Sequence, residues 1–248
     1  MENDNQVLAV WGSPGSGKTT LSVKIAKELQ TKKHSVAIVL CDDVTPSLPI
    51  LLPNSKLEHR SLGDLLSQPR ISQAEILKFS IPYGSNNNIS LLGYCVDENP
   101  MSYPEYSTMT AKSLISALSR LVDNIIVDCS SDLVGNPLTM VALEVSDATL
   151  RVVNASLKST VYMRSQQQLL VDSRFRLDRQ HVVLNNVLPG QDENAHASIV
   201  GDAEYLLPHC SALAEQYETG KLADSLFGRE AKHYEPVVKK IMKDVFGT

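Results

Sequence analysis

One octapeptide constrains this chain more than any other feature: Gly12-Ser13-Pro14-Gly15-Ser16-Gly17-Lys18-Thr19, preceded by the apolar run Val7-Leu8-Ala9-Val10-Trp11. It satisfies the pattern G-x-x-x-x-G-K-[ST], after an expected strand and before an expected helix. Three glycines let the backbone turn tightly around a phosphate, so that its N–H groups point inward. Lys18 adds a mobile positive charge for the β- and γ-phosphates. The Thr19 hydroxyl suits a Mg2+ ligand, and the helix that follows adds the positive end of its dipole. The expected nucleotide contacts are therefore Gly12, Ser13, Pro14, Gly15, Ser16, Gly17, Lys18, Thr19 and Thr20.

Along the rest of the chain, short apolar runs alternate with helical patterns. That alternation predicts an α/β fold, with a mostly parallel central sheet covered by helices on both faces. Strands are expected near residues 6–11, 36–41, 89–94, 124–128, 148–153 and 180–185. Helices are expected near 18–33, 61–67, 72–79, 107–121, 158–172, 210–219 and 229–245. In the first helix Leu21, Ile25 and Leu29 form one apolar stripe. No repeat, low-complexity tract or linker divides the sequence, so residues 1–248 read as one domain.

Composition narrows the class. Hydrophobic residues make up 43% and charged residues 21% of the 248, ordinary for a soluble globular protein. No apolar run approaches the ~20 residues of a membrane span, and the start, Met-Glu-Asn-Asp-Asn, is polar and acidic rather than a secretory signal. A cytoplasmic location is expected. Cys41, Cys95, Cys129 and Cys210 are too widely spaced for a CxxC metal site or a disulfide framework, and read as small buried apolar residues. The formal net charge of −5 argues against broad nucleic-acid binding while leaving a local basic patch open. Arg164, Arg174, Arg176 and Arg179 cluster around one helix and its exit. They read first as a solvated face and second as a surface for DNA or a partner. The last helix carries Val237, Val238, Ile241, Met242 and Val245 beside Lys239, Lys240 and Lys243. Packing against the sheet is its leading reading and a membrane-surface helix the alternative.

Two strand ends carry acids. Asn124-Ile125-Ile126-Val127-Asp128 is a buried strand ending in a carboxylate, which a parallel sheet delivers to its C-terminal edge beside the phosphate loop. There Asp128 can hold Mg2+ directly or through water. The loop Cys129-Ser130-Ser131-Asp132 would then sense the γ-phosphate. Asp42 and Asp43 end the second strand on the same edge, and Asp42 directly follows the apolar run. Asp42 is the candidate to orient an attacking water or to bind a water of the metal shell. Val182-Val183-Leu184-Asn185-Asn186 ends in amides that can bond a purine edge. No Asp follows three residues after either Asn, as a guanine-reading site would have, so ATP is favoured over GTP.

The order of phosphate loop, Asp42, Ile-Ile-Val-Asp128, Val-Leu-Asn185 and Leu-Leu-Pro208 resembles the ParA/MinD group of P-loop ATPases. It is most similar to the divergent TadZ/CpaE-like branch that positions pili, secretion machinery or mobile-element cargo. The resemblance implies ATP and Mg2+ as cofactors, an ATP-dependent homodimer closed face to face around the nucleotides, and release on hydrolysis. It also implies a protein partner from a pilus, secretion or mobile-element system, and adenine packed against the segment from Pro208 to Gly220. One departure stands out. The family's loop, K-G-G-x-G-K-[ST], carries an extra lysine where this chain has Ser13, followed by Pro14. Ser13 cannot supply charge across a dimer, which leaves slow hydrolysis as the expectation; Lys158 is a conceivable substitute. Two other readings stay open: a small-molecule kinase whose lid carries Arg174, Arg176 and Arg179, and a scaffold that binds ATP without hydrolysing it.

Overall fold

The computed structural model describes residues 6–53, 57, 60–166, 168–175, 177–191 and 203–247. The strands are β1 (Gln6–Gly12), β2 (Val36–Leu40), β3 (Ile81–Tyr83), β4 (Ile89–Leu92), β5 (Asn124–Asp128), β6 (Ala148–Asn154), β7 (Gln180–Val187) and β8 (Tyr205–Pro208). They form one sheet in the order β3-β4-β2-β5-β1-β6-β7-β8. Every neighbouring pair is parallel except β3 with β4.

The register decides where the chemistry lies. Val10 and Leu40 both pair with Asp128, Gly12 pairs with Val152, and Asn154 pairs with Asn185. The ends of β1, β2, β5, β6 and β7 thus meet at one edge, as parallel connectivity requires.

The strands are nearly continuous apolar runs because both faces of the sheet are covered. Val7, Ala9 and Trp11 face one core, which is closed by α3 (Leu62–Leu66), α4 (Gln73–Phe79), α5 (Thr108–Leu118) and α6 (Pro137–Val145). Leu8 and Val10 face the other, closed by α1 (Lys18–Thr31), a short α2 (Leu48–Leu51), α8 (Ser211–Glu218) and α9 (Ala231–Phe246). Among the described residues the remaining α-helix, α7 (Leu157–Gln166), follows β6.

Four elements escaped the sequence reading: α2, β3, α6 and β8. The helix α6 has only Thr139 and Glu144 as polar residues, and Leu138, Thr139, Val141, Ala142 and Leu143 are all buried, so it shows little amphipathic period to detect. Its start is nonetheless signalled locally: the Asn136 side chain accepts from the Thr139 N–H at 2.9 Å, with Pro137 behind it. The single helix expected over 158–172 ends at Gln166, and a separate 3-10 turn covers Leu169–Val171. Only Ser159 and Met163 of α7 are buried, so no apolar stripe holds a longer helix in place. The last helix lies against β8 and α1 through Tyr234, Val238, Ile241 and Met242, as the pattern predicted. Cys41, Cys129 and Cys210 are buried; Cys95 is not, and its thiol lies 3.5 Å from the Leu57 carbonyl oxygen.

Candidate functional site

The octapeptide forms a loop between β1 and α1 whose shape depends on two glycines. Gly12 has φ +149°, and a Cβ there would overlap the Val152 carbonyl oxygen of β6. Gly17 has φ +90°, and a Cβ there would collide with the Asn185 amide. Both positions need a residue without a side chain. Gly17 caps α1 with no side-chain hydrogen bond, and no acid stands in the first turn. The first N–H groups of the helix are therefore left for an anion from outside. Lys18 curls back over the loop. Its Nζ lies 3.3 Å from the carbonyl oxygens of Gly12 and Ser13, and donates to Ser131 Oγ at 2.8 Å. Burial lowers its pKa, against the opposing pull of Asp128 and Asp42.

Beside the loop, the Thr19 hydroxyl donates to Asp128 Oδ2 at 2.6 Å and lies 3.3 Å from Ser47 Oγ. Asp128 is fully buried, and its second oxygen, Oδ1, has no hydrogen-bond partner. Burial pushes the carboxyl up to about 6, with Lys18 and Thr19 pulling the other way. A buried, unpartnered carboxylate oxygen beside a threonine hydroxyl could hold a hard cation. Among the described residues no cluster of three or more His, Cys, Asp or Glu side chains could hold a metal alone. The donor set fits Mg2+, which takes one or two protein ligands and completes its shell with phosphate oxygens and water.

A carboxyl held above its unfolded value of 3.8 contributes stability below that pH, and loses it as pH rises through about 6. Asp128→Asn should therefore remove an acid-side gain in Tm between pH 7 and pH 5. The same variant should abolish any magnesium dependence of nucleotide binding. Thermal melts at the two pH values, paired with calorimetry with and without magnesium, check both; an unchanged metal dependence removes Asp128 from the metal.

Asp42 ends β2 in a local turn, its Oδ1 accepting the N–H groups of Val44 and Thr45 at 3.1 and 2.8 Å. It lines the same cleft as the loop and Asp128, whereas Asp43 is not among the lining residues. Burial raises the Asp43 carboxyl above its ordinary range.

That cleft encloses about 710 Å3. Pro14 to Thr20, Asp42, Asp128, Asn185, Pro208, Leu213 and Tyr217 are among the residues that line it. Gly12 and Ser13 do not line it; Ser13 is buried, and its hydroxyl lies 2.6 Å from Ser159 Oγ of α7. Asn185 props the loop from behind, donating from Nδ2 to the Ser16 carbonyl at 2.7 Å. Its neighbour Asn186 accepts from His209 Nδ1 at 2.7 Å, joining the ends of β7 and β8. Ser131, from the loop expected to sense the γ-phosphate, Asn186, from the amide pair, and His209 and Tyr217, from the segment the family resemblance pointed to, all line the cleft; Ser47 also lines it and was not singled out in the sequence, because only the sheet register brings its loop there. The arginines lie elsewhere. Arg174 pairs with Asp172 at 2.8 Å on the surface, Arg164 is exposed, Arg176 lies outside the described residues, and neither Arg174 nor Arg179 lines the cleft. Among the described residues no helix is long and apolar enough to cross a membrane.

The family described as Nephrocystin 3, N-terminal, matches residues 1–48, the stretch that carries β1, the phosphate loop, α1 and β2. No curated protein matches the chain in sequence. Solved structures match it over nearly its full length. A ParA family ATPase from Chlorobium tepidum is 16% identical at a TM-score of 0.76, covering 96% of this chain and 98% of its own. The cell division ATPase MinD of Pyrococcus furiosus is 20% identical at 0.72, covering 96% and 99%. The septum site-determining protein MinD of Pyrococcus horikoshii, solved as a complex with Mg-ADP, is 18% identical at 0.71, covering 96% of each chain. At these identities the shared property is the fold, and this chain has the α/β fold of ParA/MinD-type ATPases.

Proposed function

We propose that the chain is a Mg2+-dependent ATPase of the ParA/MinD type. It would act in the cytoplasm as a nucleotide-gated dimer switch that positions or assembles a larger machine, such as a pilus, a secretion or conjugation apparatus, or a DNA cargo. The observation that carries this reading is the Thr19–Asp128 contact of 2.6 Å, with Asp128 Oδ1 left unpartnered, beside a lysine-bearing phosphate loop. The Mg-ADP bound by the Pyrococcus horikoshii MinD of the same fold supports the cofactor assignment.

In this reading Lys18 and the N-terminus of α1 neutralise the β- and γ-phosphates, and Thr19 and Asp128 hold the metal. Bound Mg2+ would supply further charge neutralisation at the phosphate oxygens. Asp42 orients the attacking water, while Asn185 and Pro208 border the adenine. Two copies binding ATP between them would be favoured over separate copies by that differential affinity, and hydrolysis would release them. Mass in solution with and without ATP and magnesium tests the switch, since an ATP-independent mass contradicts it. Asp42→Ala should hold the nucleotide-bound dimer and reduce turnover at least tenfold, a loss typical of a missing acid–base group. Phosphate release equal to that of the parent takes Asp42 out of catalysis.

A second reading has one observation in its favour. The Ser13 hydroxyl is buried against Ser159 rather than offered outward, so this position presents no charge to a second copy. A scaffold that dimerises on ATP without cleaving it meets that condition, and its mark is dimers formed with no phosphate produced.

A further inference from the structure

Lys24 breaks the pattern of its helix. It lies on the buried side of α1, flanked by Val23 and Ile25, and only 7% of its surface is exposed. An ammonium group in such a place must be fully hydrogen-bonded. Its three donors meet three oxygens, all from a segment nearly 200 residues further along the chain: Gln216 Oε1 at 2.7 Å, the Leu222 carbonyl at 2.8 Å and the Asp224 carbonyl at 3.0 Å. Gln216 in turn donates from Nε2 to the Ser225 carbonyl at 3.1 Å. The contact is therefore with the C-terminal part of α8 and the turn after it. The other end of α8 is held separately, where Glu230 accepts from the Ser211 N–H at 2.7 Å and its hydroxyl at 2.9 Å.

The helix so anchored is a wall of the cleft. Leu213, Ala214, Tyr217 and Glu218 of α8 line it, whereas Gln216 does not. At its other end α1 begins in the phosphate loop. One ammonium group thus ties the α8 wall of the cleft to the helix that grows out of the phosphate loop.

We propose that Lys24 is a positioning residue for nucleotide binding: it sets the distance between the phosphate loop and the α8 wall of the cleft, which follows Pro208 and which the proposed function takes as the base side. The inference rests on the proposed function for the identity of the ligand. It goes beyond that reading in making affinity for the base, and not for the phosphates, depend on a residue outside the cleft.

The charge state of this clamp is within reach of experiment. Burial and the neighbouring Lys27 lower the Lys24 pKa to about 8, while Asp224, Cys210 and Glu235 oppose them. Glu28 and Tyr234 complete the walls around the group. Above pH 8 the neutral amine has two donors for three acceptors, and each bond loses its charge assistance. The fold itself does not weaken on this account. A lysine whose folded pKa lies below its unfolded value adds stability as pH rises from 8 towards 10.5.

The test compares magnesium with ATP against magnesium with tripolyphosphate, both titrated by calorimetry. At pH 7, Lys24→Met should weaken ATP about tenfold, the worth of a charge-assisted bond, and leave tripolyphosphate within about twofold. In the parent protein, ATP affinity alone should fall by a similar factor between pH 7 and pH 9, and the variant should be flat over that range. Should Lys24→Met fail to fold, Gln216→Leu, which removes one of the three acceptors from outside the cleft, takes its place with the same expected split between the two ligands. Parallel losses for both ligands, or losses for neither, overturn the proposal. A parent protein that binds neither ligand overturns the functional reading as well.

Discussion

Lys18→Ala should abolish nucleotide-dependent association and weaken triphosphate binding at least a hundredfold, while the protein remains folded. Among the described residues the ammonium is the one cation directed over the loop, 3.3 Å from the Gly12 and Ser13 carbonyls. Losing a charged hydrogen-bonding group to phosphate costs about 3 kcal/mol, or two decades of affinity. Survival of the fold follows from the same burial. Lys18 sits in a site that lowers its pKa through desolvation, so its removal relieves that penalty. The cost on the other side is Asp128, which loses its largest favourable charge. That carboxyl already titrates near 6, and without Lys18 it moves higher and protonates rather than remaining a buried unpaired charge. Mass in solution with ATP and magnesium, set beside a thermal melt, reads both halves. A variant that still dimerises with ATP as the parent does disproves the switch.

Gly12→Ala should have the opposite profile, losing the fold before any question of binding arises. A Cβ at Gly12 would overlap the Val152 carbonyl oxygen, in a backbone conformation with φ +149° that side chains avoid. The obstacle is main chain on a directly paired central strand, so a rotamer change cannot relieve it; β1 and β6 would have to part. We expect a loss of about 4 kcal/mol or more, at the upper end for single substitutions and a large share of a typical total. Gly15→Ala is the matched control. Gly15 also has positive φ, at +68°, but nothing lies within 4 Å of where its Cβ would be, so only the left-handed backbone penalty of about 1–2 kcal/mol applies. Denaturant midpoints for the two variants measure the difference, and similar midpoints would refute the steric account.

Much of the molecule was legible because its signals are local. A strand buried on both faces must be nearly apolar throughout, and β1, β2 and β5 announce themselves that way. The Gly-rich turn before Lys18 and Thr19 declares its chemistry through backbone freedom and residue type alone. Asp42 and Asp128 could be assigned to one edge because parallel strands all end on the same side. Less of the far wall could be read. Pro208 and its segment were singled out only through a family resemblance, and Asn185 was read as a base contact without its bond to the Ser16 carbonyl. Lys24 looks like any helix lysine until Gln216, Leu222 and Asp224 are placed around it.

The amino-acid sequence by itself determined the alternation of strands and helices, the phosphate loop and the acids at two strand ends, since each depends on neighbours within a few residues. Only the tertiary structure decided which oxygen of Asp128 is left unpartnered, that Ser13 turns inward to Ser159, and that α8 is anchored to α1. Those outcomes depend on burial and hydrogen bonding between segments more than a hundred residues apart, and a bond at that separation exists only once sheet register and helix packing have brought its two ends together.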